Sequence, residues 1–119
     1  MAVKHVEEIS ASPVAAGSGT RMQVLISSDE APNFALRRFI MEPGGRMPLH
    51  TNDVEHEQYV LGGRAQVAIG GEVFEVAAGN IVFIPVGVPH SYRTLGDEPF
   101  EFLCTVPNTP DTVKVIESG

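Results

Sequence analysis

Three of the four histidines, His50, His56 and His90, stand beside turn signals within segments that read as β-strands, while His5 stands apart. On an extended strand residues two apart project to one side, so His50 and Asn52 point into one cavity. Beyond the short polar loop from Asn52 to Glu55, His56 opens the next strand opposite the first. His90 follows the turn-rich approach Pro85 to Pro89, which delivers another strand to the same region. A lone histidine is more simply an imidazole bonded to its neighbours. Three of them from three strand segments, with room for solvent, make a site suited to manganese, iron, cobalt, nickel, copper or zinc.

The elements that must carry these residues are short. Twelve glycines and nine prolines cut the sequence into pieces typical of strands in a sandwich or barrel, so the chain reads as nearly all β. The expected strands run from Arg21 to Ser27, Phe34 to Glu42, His56 to Leu61, Arg64 to Ile69, Val73 to Val76, Ile81 to Ile84, Ser91 to Leu95 and Pro99 to Val106. Turn chemistry falls between them at Asp29 to Asn33, Pro43 to Gly45, Gly62-Gly63, Gly70-Gly71, Ala78 to Asn80 and Gly96-Asp97. Alternation is clearest late in the chain, where Phe100, Phe102 and Cys104 share one face. Residues 1–20 lack a strong period and are expected as an N-terminal arm on a single domain spanning 21–119, and Val113 to Ile116 offers a further edge strand.

A chain of 119 residues fits one core. Fifteen acidic residues against eight basic ones, with only Arg37 and Arg38 adjacent among the cations, argue against nucleic acid as a partner. No apolar run approaches the roughly 20 residues needed to span a bilayer, and Lys4, Glu7 and Glu8 occupy the place of a signal peptide's apolar stretch, so no membrane association and a cytoplasmic location are expected. The single cysteine, Cys104, rules out an intrachain disulfide and fits a reducing compartment.

The run GRMPLHTNDVEH over residues 45–56, followed by Gly63, resembles the first cupin motif, G-x5-H-x-H-x3,4-E-x6-G. The run GNIVFIPVGVPH over residues 79–90 resembles the second, G-x5-P-x-G-x2-H-x3-N, with Thr94 in place of the final Asn. The resemblance implies a double-stranded β-helix, or jelly-roll barrel. Within it, HTNDVEHEQYVL over residues 50–61 is similar to a subgroup of small single-barrel cupins that bind manganese through four histidines. By that correspondence His56 fills the usual glutamate position, and His50 and His90 fill their own. The cofactor implied is one divalent transition metal, manganese first, with iron, nickel, zinc, copper or cobalt as the others. Asn52 departs from the subgroup's second histidine: it stands as a distant fourth ligand, as a ligand through water, or as an open position. Glu55, in the loop, and Glu57, on the opposite face from His56, are poor substitutes, and a degenerate site without metal is the bland alternative.

Parity places Gln58 with His56, and Tyr92 with His90, on the inner face, with Phe102 and Cys104 as an apolar wall carrying one thiol. Gln58 orients a water or substrate oxygen, or is a buried amide satisfied by backbone; Cys104 is more simply core than redox centre. The resemblance aligns Arg37 with an arginine near the subgroup's metal pocket, so it is either an inward group for an anionic oxygen or a structural cation. Two functions follow: a metal-dependent oxygenase acting on a small organic substrate, since no dedicated general acid or base is evident, or a binding or sensor module that holds a small molecule without turnover.

Cupins similar to this one are typically dimers, and the apolar segment Met22 to Ile26 asks for cover on both faces, so a homodimer is expected. Light scattering during gel filtration is expected to give twice the chain mass; a value near 12.8 kDa at micromolar concentration rejects the dimer.

Overall fold

The computed structural model describes residues 2–116. After a single 3-10 turn at Val6–Glu8, ten strands follow: β1 Ser12–Pro13, β2 Ser18–Ile26, β3 Phe34–Thr51, β4 His56–Gly62, β5 Arg64–Ile69, β6 Glu72–Ala77, β7 Ile81–Ile84, β8 His90–Leu95, β9 Phe100–Pro107 and β10 Lys114–Val115. Every pairing is antiparallel and the strands form one curled sheet in the order β6-β5-β8-β3-β9-β4-β7, with β2 and β10 also on β3 and β1 on β2. No helix among the described residues is long and apolar enough to cross a membrane.

The strand that organises this layout is longer than its sequence suggests. Pro43-Gly44-Gly45 is a turn signature, yet β3 runs through it to Thr51. Its first half pairs with β2 and β9, and its second half, from Arg46 to His50, pairs with β8. Between Thr20↔Met41 and Ser18↔Arg46 the register slips, so the glycines bend the strand from one face of the barrel to the other instead of reversing it. Gly44 takes φ 81°, open to glycine alone at little cost, and a Cβ on Gly45 would sit 2.8 Å from the Glu42 carbonyl oxygen. At the N-terminus, Ser18 to Thr20 already belong to β2, and Ser12-Pro13 pairs with Met22 and Arg21.

Alternation places the core. In β4 His56, Gln58 and Val60 are buried while Glu57, Tyr59 and Leu61 are exposed. In β9 Phe100, Phe102, Cys104 and Val106 are buried, and in β8 His90, Tyr92 and Thr94. The apolar ones among them, Val60, Tyr92, Phe100, Phe102, Cys104 and Val106, join Met41, Val67, Val82 and Ile84 in one contiguous core, with Phe102 stacked between Phe39 and Tyr92 at ring-centroid distances of 5.0 and 5.4 Å. The motif glycine Gly63 turns β4 into β5 at φ 74°, and a Cβ there would lie 2.1 Å from the Pro99 carbonyl oxygen.

Gly63→Ala therefore meets both a disfavoured backbone conformation and a backbone clash. It is expected to destabilise the protein by more than the roughly 1–3 kcal/mol of the strained φ alone, read as a lower urea midpoint; a midpoint equal to the parent's would contradict this packing.

Candidate metal centre

His50, the penultimate residue of β3, stands directly opposite the start of β8, so it and His90 are ladder partners with ring centroids 4.1 Å apart. His56, the first residue of β4, lies 5.9 Å from His90 between ring centroids. All three are buried. His50 Nδ1 donates to the Pro48 carbonyl at 2.7 Å and His90 Nδ1 to the Val88 carbonyl at 2.9 Å. A carbonyl only accepts, so each Nδ1 carries the proton and each Nε2 keeps its lone pair. His56 Nδ1 lies 3.4 Å from the Cys104 sulfur.

The Nε2 atoms of His56 and His90 are buried without any hydrogen-bond partner, and so is Asn52 Oδ1. Leaving such atoms unsatisfied costs about 1–3 kcal/mol each, a penalty that a cation would remove. The donor types therefore fit a transition metal. As placed, the rings touch one another, and no three His, Cys, Asp or Glu side chains among the described residues are spaced to hold an ion between them.

Burial pushes the imidazoles toward neutrality. It is the main cause that takes His56 down to about 3, helped by the charges of Arg37 and His90, and His90 down to about 4; His50 is lowered for the same reason. Neutral imidazole is the ligating form.

The structure gathers the other expected residues beside this cluster. Gln58 Nε2 donates to Tyr92 Oη at 2.7 Å and lies 3.7 Å from Cys104 Sγ, so its amide nitrogen is committed inside the core. Arg37 faces inward: its Nη2 lies 3.3 Å from Cys104 Sγ, its guanidinium sits 5.1 Å above the Phe39 ring, and its buried Nε has no partner. Cys104 is fully buried, and burial raises its thiol pKa above the ordinary value, so it stands as a neutral thiol. Phe39, Phe102 and Tyr92 form a ring stack that meets His90 edge-on. Thr94, where the second motif has Asn, is buried with its hydroxyl toward the Met41 carbonyl at 3.5 Å. Glu55 and Glu57 are exposed, and His5 lies in the N-terminal arm, where its Nδ1 accepts from the Glu7 backbone N–H. A cavity of about 700 Å³ lies elsewhere, against that arm among Val3, Val6, Ile9 and Leu25.

Asn52 lies just past the end of β3 and does not share the strand geometry of His50. Its Nδ2 donates to Asp111 Oδ2 at 3.1 Å, and Asp111 is the site residue that strand parity does not find. Its charge reaches His50, His56 and His90 alike, in each case favouring the protonated form.

Since His56 and His90 titrate near 3 and 4 in the folded protein and an ordinary imidazole at 6.5, the unfolded chain takes up protons in that window that the folded chain refuses. This part of the stability is complete above pH 6.5 and is lost as the pH falls toward 4. Urea unfolding of metal-free protein between pH 7 and about 4.5 is expected to show that loss, and a His56→Gln, His90→Gln double variant to flatten it. Equal slopes in both proteins would assign the acid sensitivity to other groups.

Comparison with known proteins follows the fold over the whole chain. The polyketide cyclase RemF from Streptomyces resistomycificus superposes with a TM-score of 0.90 at 30% identity, covering 100% of this chain and 87% of that one. The 1-methylthio-D-xylulose 5-phosphate methylsulfurylase of Rhodospirillum rubrum is 36% identical over 84 residues, 71% of this chain and 53% of that protein. The mannose-1-phosphate guanylyltransferase of Klebsiella pneumoniae is 34% identical over 76 residues, 62% of this chain and 16% of that protein. The chain thus spans well under two thirds of the length of these last two relatives. Residues 37–106, more than half of the chain and both histidine-bearing runs, match the Cupin domain family, and the chain belongs to it.

Proposed function

We propose that this cupin is a metal-dependent enzyme acting on a small organic molecule, with His50, His56, His90 and Asn52 around one divalent transition ion. The observation that carries the reading is the set of buried polar atoms without a partner, His56 Nε2, His90 Nε2 and Asn52 Oδ1. When bound, the ion, manganese first and iron, nickel, zinc, copper or cobalt after it, supplies Lewis acidity toward a substrate oxygen. The chain's own groups then divide the work. The stacked rings of Phe39, Phe102 and Tyr92 offer an apolar wall to a planar substrate. Tyr92 Oη accepts from Gln58, so its own proton remains free to donate, and burial raises its pKa, which keeps that proton in place. Arg37 brings positive charge, with Nε uncommitted, toward an anionic oxygen.

Oxygenation is the reaction proposed, because no carboxylate or lysine is buried among the described residues to act as an interior base for other chemistry. A second reaction is favoured by the likeness to RemF along the whole chain: ring closure on a polycarbonyl substrate, which needs no oxidant. The runner-up to both is binding without turnover, favoured by the mutual commitment of Gln58, Tyr92, Arg37 and Cys104. A homodimer belongs to the same proposal: Val24 and Ile26 on β2 are each 40% exposed.

Elemental analysis of protein purified without chelator is expected to find one ion per chain, sharply reduced in His50→Ala, His56→Ala and His90→Ala and unchanged in His5→Ala. Full occupancy in both His50→Ala and His90→Ala sinks the site. With metal loaded, oxygen uptake with phenols or diketones identifies oxygenation, product formed without oxygen identifies ring closure, and affinity without product identifies the binding module.

A further inference from the structure

Asn52 presents a choice that its chemistry alone leaves open, since an amide turned one way offers oxygen and turned the other way offers a donor NH2. Asp111 makes that choice. Its Oδ1 accepts the Asp53 backbone N–H at 2.7 Å and its Oδ2 accepts from Asn52 Nδ2 at 3.1 Å. A carboxylate has nothing to donate, so the amide edge facing it must be nitrogen, and Asn52 Oδ1 is left in the interior, buried and without a partner on a residue only 6% exposed. Asp111 is itself fixed from both sides. Upstream, Asn108 is tied to the Ala31 and Asn33 carbonyls; downstream, β10 pairs with β3 at Thr51 and His50, and the Ile116 N–H donates to the Leu49 carbonyl. The C-terminal strap therefore crosses the mouth of the barrel at the histidines.

We infer that Asp111 is a positioning residue that locks the Asn52 amide with its oxygen inward, making Asn52 a direct oxygen ligand in place of an imidazole. This rests on the metal reading above and goes beyond it in assigning the fourth donor and the residue that sets it. A carbonyl-type oxygen among imidazoles moves the donor set toward harder ions such as manganese(II).

The test is Mn(II) titration of metal-free protein followed by loss of the free-ion EPR signal, which reads binding without reference to activity. Asp111→Asn turns an NH2 toward Asn52 or forces its amide over, so affinity is expected to fall at least tenfold, about the size of an outer-shell loss. Asn52→Ala is expected to fall comparably, and adding Asp111→Asn to it to cost nothing more. The exchange variant, Asn52→Asp with Asp111→Asn, rebuilds the hydrogen bond with its polarity reversed and is expected to bind Mn(II) at least as tightly as the parent; it also covers the case in which Asp111→Asn alone misfolds. No affinity in the parent protein overturns the metal reading and this inference together. Parent affinity that survives Asp111→Asn overturns the role of Asp111 alone. Losses that add in the double variant, or an exchange variant that folds without binding, overturn positioning and leave only the attraction of a nearby charge.

Discussion

Because β3 belongs to both faces of the barrel, one bend decides whether the histidines meet. Its first half is held between β2 and β9 and its second half lies along β8 and β10, so the angle at Pro43-Gly44-Gly45 sets where His50 stands relative to His90. His56 reaches the same place by another route, through β4 and its ladder with β9, which is itself zipped to the first half of β3. The two routes close on each other only if that half-strand is held rigidly, and the stack of Phe39, Phe102 and Tyr92 across β3, β9 and β8 does this. The site is thus a property of the whole sheet, and no single loop holds it.

Burying three imidazoles together is unfavourable for their charged forms, and the fold accepts this by making them neutral. Backbone carbonyls two residues upstream of His50 and His90 take the Nδ1 protons and aim the lone pairs elsewhere. The protein carries a net charge of −7, yet the buried residues around the histidines are uncharged, and among the described residues Asp111 is the carboxylate whose field reaches all three histidines, from the mouth. A cation entering such a place meets lone pairs without first displacing protons, and an external field of the favourable sign.

Much of this is legible in the sequence where the cause is local. The period of two in β4 and β9 is visible as alternation, and the inward set His56, Gln58, Phe102 and Cys104 follows from it. Gly63 is readable because a tight approach leaves no alternative residue. What sequence reading misses is set by distant contacts. Pro43-Gly44-Gly45 carries the composition of a reversal, and only the partner strands on either side make it a bend. Residues 12–13 and 18–20 read as arm because their pairing is with β2 and β3, not with a local period. The edge strand expected at Val113 to Ile116 is present as β10, but Asp111 lies before it in an aperiodic stretch and meets Asn52 across 59 residues of sequence, so no local pattern points to it.

The strict alternation along β4 has an evolutionary corollary. Deleting one residue inside that strand would exchange its faces, turning His56, Gln58 and Val60 outward and bringing Glu57, Tyr59 and Leu61 into the core. The error would not be confined to one contact, since β7 and β9 both read their register from β4. A deletion at the Gly70-Gly71 turn between β5 and β6 shortens a hairpin tip with open space around Gly71 and leaves the barrel wall in phase. Lineages of this chain are therefore free to vary in length at such tips, while the strands can change only by substitution.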